Sequence, residues 1–444
     1  MIFRINLLSP ILVLPLLMTL PTSPASAQRQ KKTDKLLFTN LDTHVRYLSN
    51  EKLEGRRTGT PGEKQASDYI AVALSNAGLV PKGDKNGWLQ AFNIDQGRVV
   101  SPDAFFIVND HPLLLNKEYF PLAFSAVGSV SGSPAIALQE SGVPWFLDLR
   151  DLLESDGGAR VSLPAAIREK AAEFAKKGAT ALIVYNSSKM QDNLCFDPND
   201  RTERATIPIL YITAAAKRKY LKDESASVDL RIKTGFSEKK CTGHNIVGYV
   251  DNGSSSTVVI GAHYDHWTEA ADSVSSRNTP RGDNVCGVAA MIELARLLAS
   301  SRLKGNNYLF VAFSGGEQGS AGSAFLAGHL PFDPRRLNYM LDLDAPDPAN
   351  GNAGPLVVGG CASSPAWAGA AREIREKPAF SVRLDSGYAG PGDQTAFYSK
   401  GVPVLVFYIG GDWTEHKPEV VKYLFDMVKA VDRHGRLAYT KTGS

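Results

Sequence analysis

The chain has 444 residues, 43% of them hydrophobic and 21% charged, which is more than one hydrophobic core ordinarily holds, so two domains are expected. Its net charge of +3 is spread along the chain with no basic stripe and no interleaved aromatic array, which argues against nucleic acid as a partner. Four cysteines are too few for a disulfide scaffold in a chain of this length; Cys195 and Cys241 are a candidate bridge, and Cys286 is expected in a core.

Met1 to Ala27 carries a single Arg4, the apolar run LLSPILVLPLLMTL and the small-residue end ASA before Gln28. That order predicts a secretory leader cleaved near Ala27, since the run is broken by prolines and short for a membrane span. The mature protein is therefore expected to be secreted or periplasmic, with no later stretch long and apolar enough to cross a bilayer. A helical texture follows from about Asn40 to Leu79. Thr60-Pro-Gly signals a helix start, and KQASDYIAVALSNAGL puts Ala66, Ile70, Ala73 and Leu74 on one face before Gly78 stops it.

From about Gly97 to Gly235 the texture changes to short strand-like runs, DAFFIV, SPAIAL, PWFLDL, ATALIVY and IPILYI, with one helical stretch, LPAAIREKAAEFAKKGA. After Lys239, HNIVGYV and TVVIGAH read as strands. VCGVAAMIELARLLASS reads as a helix with Val288, Met291, Ile292, Leu294 and Leu298 largely on one apolar face. YLFVAFS, NYMLDLD and VPVLVFYIG are further strand-like runs. Together these predict an α/β fold, a mixed and mainly parallel sheet sandwiched by helices, with an inserted β-rich domain. The expected boundaries are a leader over 1–27, an N-terminal helical part of the catalytic domain over 28–96, the insert over 97–236 and the catalytic domain over 237–444.

A metal-capable side chain stands at or near the end of successive apolar runs: His263, Asp283, Glu317, Asp344 and, after VPVLVFYIG, His416. In an open α/β sheet, ligands bind beyond the carboxyl ends of the strands, where loops gather side chains remote in sequence. Singly, each residue is an ordinary polar or capping residue. As a set, two imidazoles and three carboxylates suit zinc. If one carboxylate bridges, they suit two ions at the roughly 3.5–4 Å spacing of two-metal hydrolases. Glu317 is expected in a turn whose backbone amides face outward and could bind a carboxylate or an oxyanion.

HYDH, GDN followed by GVAAMIELARLL, EQGSAGS, LDLD and the late HKP resemble the zinc exopeptidases of the aminopeptidase Y and glutamate carboxypeptidase group, which also contains transferrin receptors and glutaminyl cyclases. The resemblance implies two zinc ions per chain. One would be held by His263 with Asp344 and the other by Glu317 with His416, with Asp283 bridging. Asp265 would orient the His263 imidazole from behind, as metal-bound histidines commonly need. It also implies that LEGRRTGTPG lies near the site and that 97–236, through AAEFAKKGATALIVYN and IPILYI, is a protease-associated domain that covers the site or restricts access to it. Asp393 matches the family's loop aspartate, with Gln394 in place of a frequent His. Val420 replaces the aspartate usual after the late His-x-Pro.

One departure bears directly on turnover. The family carries two adjacent glutamates before x-Gly-x-x-Gly-Ser, a general base and then a metal ligand. Here Gly319, Gly322 and Ser323 set the register, so Glu317 is the ligand and Gly316 stands at the base position. The shifted register would make neutral Gln318 a ligand and misplace the glycines. A positioned base contributes about 10²–10⁴-fold, or roughly 2.7–5.4 kcal/mol of barrier. The expected function is a secreted di-zinc aminopeptidase acting on peptide or aminoacyl substrates, slow for want of that base, with Glu415, His266 or Asp342 as substitute proton carriers. Two other readings stand beside it: a metal-holding protein that binds peptides or a partner without turnover, and a glutaminyl cyclase.

Overall fold

The computed structural model describes residues 24–154, 162–266, 284–344, 356–374, 380–387, 391–408 and 413–441, with the backbone alone over 24–32 and 413–416. The stretch expected to be a leader, Met1–Ala27, lies outside the described residues except for its C-terminal end, where a helix begins at Pro24. The chain forms two compact units, one of residues 1–92 with 243–444 and the other of residues 93–242.

The first unit is built on a mixed sheet with nine described strands. These are β1 (Val80–Pro81), β2 (Leu89–Val100), β3 (Phe236–Val250), β4 (Thr257–His263), β5 (Asn307–Phe313), β6 (Leu337–Asp344), β7 (Leu356–Gly359), β8 (Val382–Leu384) and β9 (Val404–Tyr408). The order is β1-β3-β5-β4-β6-β9-β7-β8, with β2 paired to β3. At its centre β5, β4, β6 and β9 run parallel, and β3 and β7 join antiparallel on either side. The apolar runs of these central strands are continuous because both faces are covered. On one face Val258, Ile260 and Ala262 pack with Tyr308, Phe310, Tyr339 and Leu341 under the helices. On the other, Val259, Leu309, Val311 and Met340 meet Leu326 and Phe397. The alternation is the two-residue period of a pleated strand.

The helices of this unit are α1 (Pro24–Leu48), α2 (Pro61–Asn76), α3 (Val285–Ala299), α4 (Ala321–Gly328), α5 (Ala366–Glu373), α6 (Thr395–Tyr398) and α7 (Trp413–Val431). In α2 the predicted face of Ala66, Ile70, Ala73 and Leu74 is buried, and Gly78 ends the segment at φ +92°, where a side chain would strain the backbone. α3 differs from its prediction. It is buried almost all round, Gly287 and Ala289 included, because β4 and β6 lie on one side and α1 and α7 on the other. The stretch between α1 and α2 is a tight turn over Glu51–Arg56, with Glu54 and Gly55 left-handed.

The second unit contains two four-stranded sheets. One is antiparallel, with Leu230–Thr234 between Phe105–Val108 and Gly128–Gly132. In the other, Trp145–Asp148, Leu182–Tyr185 and Ile209–Ile212 are parallel. The helix Leu163–Lys176 buries Ile167, Ala171 and Phe174 against the second sheet. One predicted strand fails. SPAIAL forms a turn with a single bridge at Ala135, as Pro134 has no N–H to give a ladder. The strand lies just before it, in Gly128–Gly132, whose small polar residues carry no apolar signal. Cys195 and Cys241 are not bridged to each other, and Cys286 packs at the edge of the first unit's core. Among the described residues no helix is long and apolar enough to cross a membrane.

Candidate metal centre

The parallel core delivers its strand ends to one edge. β4 ends in His263 and its parallel neighbour β6 ends in Asp344, while β5, on the other side of β4, runs directly into the turn that carries Glu317. His263 Nε2 is 3.5 Å from Asp344 Oδ1. Two ligands each about 2.1 Å from one tetrahedral zinc stand about 3.4 Å apart, so this pair fits an ion between its atoms. On the other side of the ring, Nδ1 lies 3.1 Å from the Asp265 carbonyl oxygen and 3.7 Å from Asp265 Oδ1. Contacts at Nδ1 leave Nε2 as the nitrogen that faces Asp344.

Charge is concentrated here. Burial opposes a proton on His263, but the carboxylates of Asp265 and Asp344 outweigh it and hold the imidazole pKa well above 6.5. Burial, with Asp393 and Asp344 nearby, pushes the Asp342 carboxyl far above the usual carboxylate range. Burial likewise moves Asp393 up to about 6. Asp342 Oδ2 accepts the Gln394 amide at 3.2 Å, whereas Asp393 Oδ1 has no hydrogen-bond partner among the described residues.

The Glu317 turn is held from below by one side chain. Gly315 and Gly319 are left-handed, at φ 71° and 73°, and bracket a single 3-10 turn over Gly316–Gln318. Asp265, only 2% exposed, takes the Gly316 amide on Oδ1 at 2.8 Å and the Glu317 amide on Oδ2 at 3.3 Å. The Thr58 hydroxyl donates to the same Oδ2 at 3.2 Å. The turn amides expected to bind a carboxylate or an oxyanion do bind a carboxylate, and it is the buried one of Asp265. Glu317 Oε1 lies 3.3 Å from Nδ1 of buried His266, whose own amide donates to Gly55.

Position 316 is closed to side chains in this arrangement. A Cβ there would lie 2.6 Å from His263 Cβ and Cγ and 2.7 Å from Nδ1. The His263 imidazole therefore packs directly on Gly316.

Of the residues expected to hold metal, the structure brings His263 to Asp344 and joins the Glu317 turn to the His263 strand end through Asp265. Asp283 lies outside the described residues. His416 has its backbone in the first turns of α7, and its side chain, like that of Glu415, is outside them. Among the described residues no group of three or more His, Cys, Asp or Glu side chains is gathered closely enough to hold an ion.

The LEGRRTGTPG segment packs against the strand end that carries His263 and Asp265. Arg56 is buried with Nε donating to the Tyr264 carbonyl at 2.7 Å, and Thr58 reaches Asp265. Three further residues escaped the sequence reading: Thr58, Ser314 and Glu63. A signal existed for the last, since Thr60-Pro-Gly-Glu63 has capping-box spacing. Thr60 Oγ1 accepts the Glu63 amide at 3.3 Å, and Glu63 Oε2 reaches back to the Gly59 amide at 2.7 Å.

Residues 245–430, which include His263, Glu317 and Asp344, match peptidase family M28. No curated protein matches the chain. Solved structures do. A zinc aminopeptidase from Bacillus subtilis is 19% identical over 91% of this chain and 96% of its own, at a TM-score of 0.49. An aminopeptidase from an Aneurinibacillus species is 19% identical over 91% of this chain and 94% of its own, at 0.46. A peptidase M28 precursor from Shewanella amazonensis is 17% identical over 94% of this chain and 99% of its own, at 0.41.

Two outcomes follow from the His263 environment. Gly316→Ala forces the ring to move by about 1 Å to reach ordinary contact distance, so zinc affinity should fall by at least about tenfold in competition with a chromophoric chelator; unchanged affinity would show that the ring does not need this place. Zinc requires a neutral imidazole, and Asp265 and Asp344 raise the His263 pKa against the opposing effect of burial. Zinc titration calorimetry near pH 7 in buffers of different ionisation enthalpy should therefore report proton release, with affinity rising as pH rises toward the elevated His263 pKa. Binding without proton release would contradict the assignment.

Proposed function

We propose that the chain is a zinc-dependent exopeptidase, an aminopeptidase that hydrolyses the first peptide bond of peptide or aminoacyl substrates, and that it works slowly. The observation that carries this reading is the 3.5 Å approach of His263 Nε2 to Asp344 Oδ1 at the ends of two neighbouring parallel strands, inside a stretch that matches peptidase family M28. His263 and Asp344 would hold one zinc. By resemblance, Glu317 and His416 would hold a second, with Asp283 between them. Bound zinc supplies Lewis acidity and lowers the pKa of water at the site.

The chain's own residues explain the expected slowness. Gly316 offers no group to take a proton, and the space a side chain would need is filled by the His263 ring. Asp342 is a poor substitute, because it is buried and its Oδ2 is already engaged by the Gln394 amide. His266 is better placed, with Nδ1 at Glu317 Oε1, but a ring committed to a ligand carboxylate is constrained in accepting a proton from elsewhere. Secretion after cleavage near Ala27 and a protease-associated role for residues 97–236 belong to the same proposal.

The packing of His263 on Gly316 also favours a second reading, a metal-holding protein that binds peptides without turning them over. Amide hydrolysis separates the two. With zinc loaded, aminoacyl amides such as leucyl or glutamyl amide should be turned over at roughly 0.1 s⁻¹ or below, about 10²-fold under the common enzyme value of about 10 s⁻¹, and a chelator should abolish the activity. Tight binding of an N-terminal peptide with no product released over many hours would leave only the binding protein.

A further inference from the structure

The Asp265 carboxylate is itself held by a chain of side chains that leads away from the strand ends into the start of α2. Glu63 is 2% exposed and accepts the Ser314 hydroxyl on Oε1 at 2.5 Å, the His244 amide at 3.1 Å and, on Oε2, the Gly59 amide at 2.7 Å, while the Tyr264 hydroxyl lies 3.2 Å from Oε1 and 2.8 Å from the His244 carbonyl oxygen. Ser314 Oγ is 3.0 Å from Thr58 Oγ1. Thr58 Oγ1 takes the Gly315 amide at 3.0 Å and donates to Asp265 Oδ2 at 3.2 Å. Every link is buried or nearly so, where a misdirected hydroxyl proton leaves an acceptor unsatisfied at a cost of about 1–3 kcal/mol.

We propose that Glu63 is a positioning residue for the metal-facing turn: by holding the Ser314 hydroxyl it fixes Thr58, and through Thr58 the Asp265 carboxylate that carries the Gly316 and Glu317 amides. Ser314 donates its one hydroxyl proton to Glu63, and Thr58 donates its own to the charged Asp265 Oδ2. The same Glu63 carboxylate holds the amide of Gly59, the residue next to Thr58, so it ties the Thr58 segment to the residue that leads into the turn. Without the Glu63 carboxylate, or without the Ser314 hydroxyl, that tie is lost and Thr58 is no longer held at Asp265. The turn then loses one of the contacts that fix its supporting carboxylate, while β4, β5 and the core beneath them keep every apolar contact. The consequence for turnover rests on the zinc reading above; the positioning of the turn does not.

Amide hydrogen exchange on the full chain without metal tests the positioning directly. In Ser314→Ala, Thr58→Val and Glu63→Gln, exchange at Gly315, Gly316 and Glu317 should rise by about tenfold or more while exchange in α3 stays at the wild-type rate, a local opening and not a global one. Thr58→Ser, which keeps the hydroxyl, should restore protection. Zinc affinity should fall by about 10–100-fold in the first three variants. Ser314→Ala leaves Glu63 bound by its backbone amides, so it decides the matter even if Glu63→Gln does not fold. Wild-type exchange at the turn in Ser314→Ala and Thr58→Val overturns the proposal, and so does an equal rise in α3. If the wild-type chain binds no zinc, the zinc reading falls, and the exchange data still decide the role of Glu63.

Discussion

The carboxylate of Asp265 is buried, and a buried carboxylate is tolerated only where donors replace the water it has lost. Here the donors are the Gly316 and Glu317 amides and the Thr58 hydroxyl. This requirement joins three parts of the chain that are remote in sequence. Asp265 stands two residues beyond His263, so satisfying its oxygens draws the turn after β5 against the end of β4. Its carbonyl oxygen takes one side of the His263 ring, which turns Nε2 toward Asp344. One side chain therefore sets the direction of the imidazole and the path of the backbone that carries Glu317.

The sheet makes that junction possible. Parallel pairing of β5, β4 and β6 places their carboxyl ends side by side, with His263 opposite Phe313 in the register. Apolar residues on both faces hold the strands at that spacing, and the layers above and below are independent cores. Polar side chains at the strand ends thus sit on a rigid base, which suits ligands that must meet an ion to within tenths of an ångström. The same close packing explains Gly316. Its backbone is not left-handed, so the reason for glycine is space: the His263 ring occupies the place of a Cβ.

Much of this architecture is legible in the amino-acid order because burial leaves a strong pattern. The central strands appear as unbroken apolar runs, and the helix after β4 as a long apolar stretch, although its burial on all sides is not visible from one face of a helical wheel. The failures have physical causes. SPAIAL has the composition of a strand, but Pro134 removes a ladder donor, while GSVSG pairs through its backbone with little apolar signal. That the amides of the Glu317 turn bind a carboxylate was legible, but nothing local announces that it comes from Asp265, just past the end of β4. Thr58, Ser314 and Glu63 look unremarkable singly, and their importance lies in a tertiary chain of hydroxyls. The place of Gly316 at the base position rests on the spacing of Gly319, Gly322 and Ser323 and belongs to the proposed function.

The proposed site, with His263 facing Asp344 and a glycine at position 316, would separate metal binding from proton transfer. The geometry of His263 with Asp344 concerns the first, and Gly316 the second. The most direct measurement is the crystal structure of the zinc-loaded protein with anomalous scattering recorded at the zinc edge. The account predicts an anomalous peak about 2.0–2.2 Å from both His263 Nε2 and Asp344 Oδ1, with the Asp265 carboxylate still bound to the Gly316 and Glu317 amides. No peak at the end of β4, or a zinc bound elsewhere while His263 stays on Asp344, would contradict it.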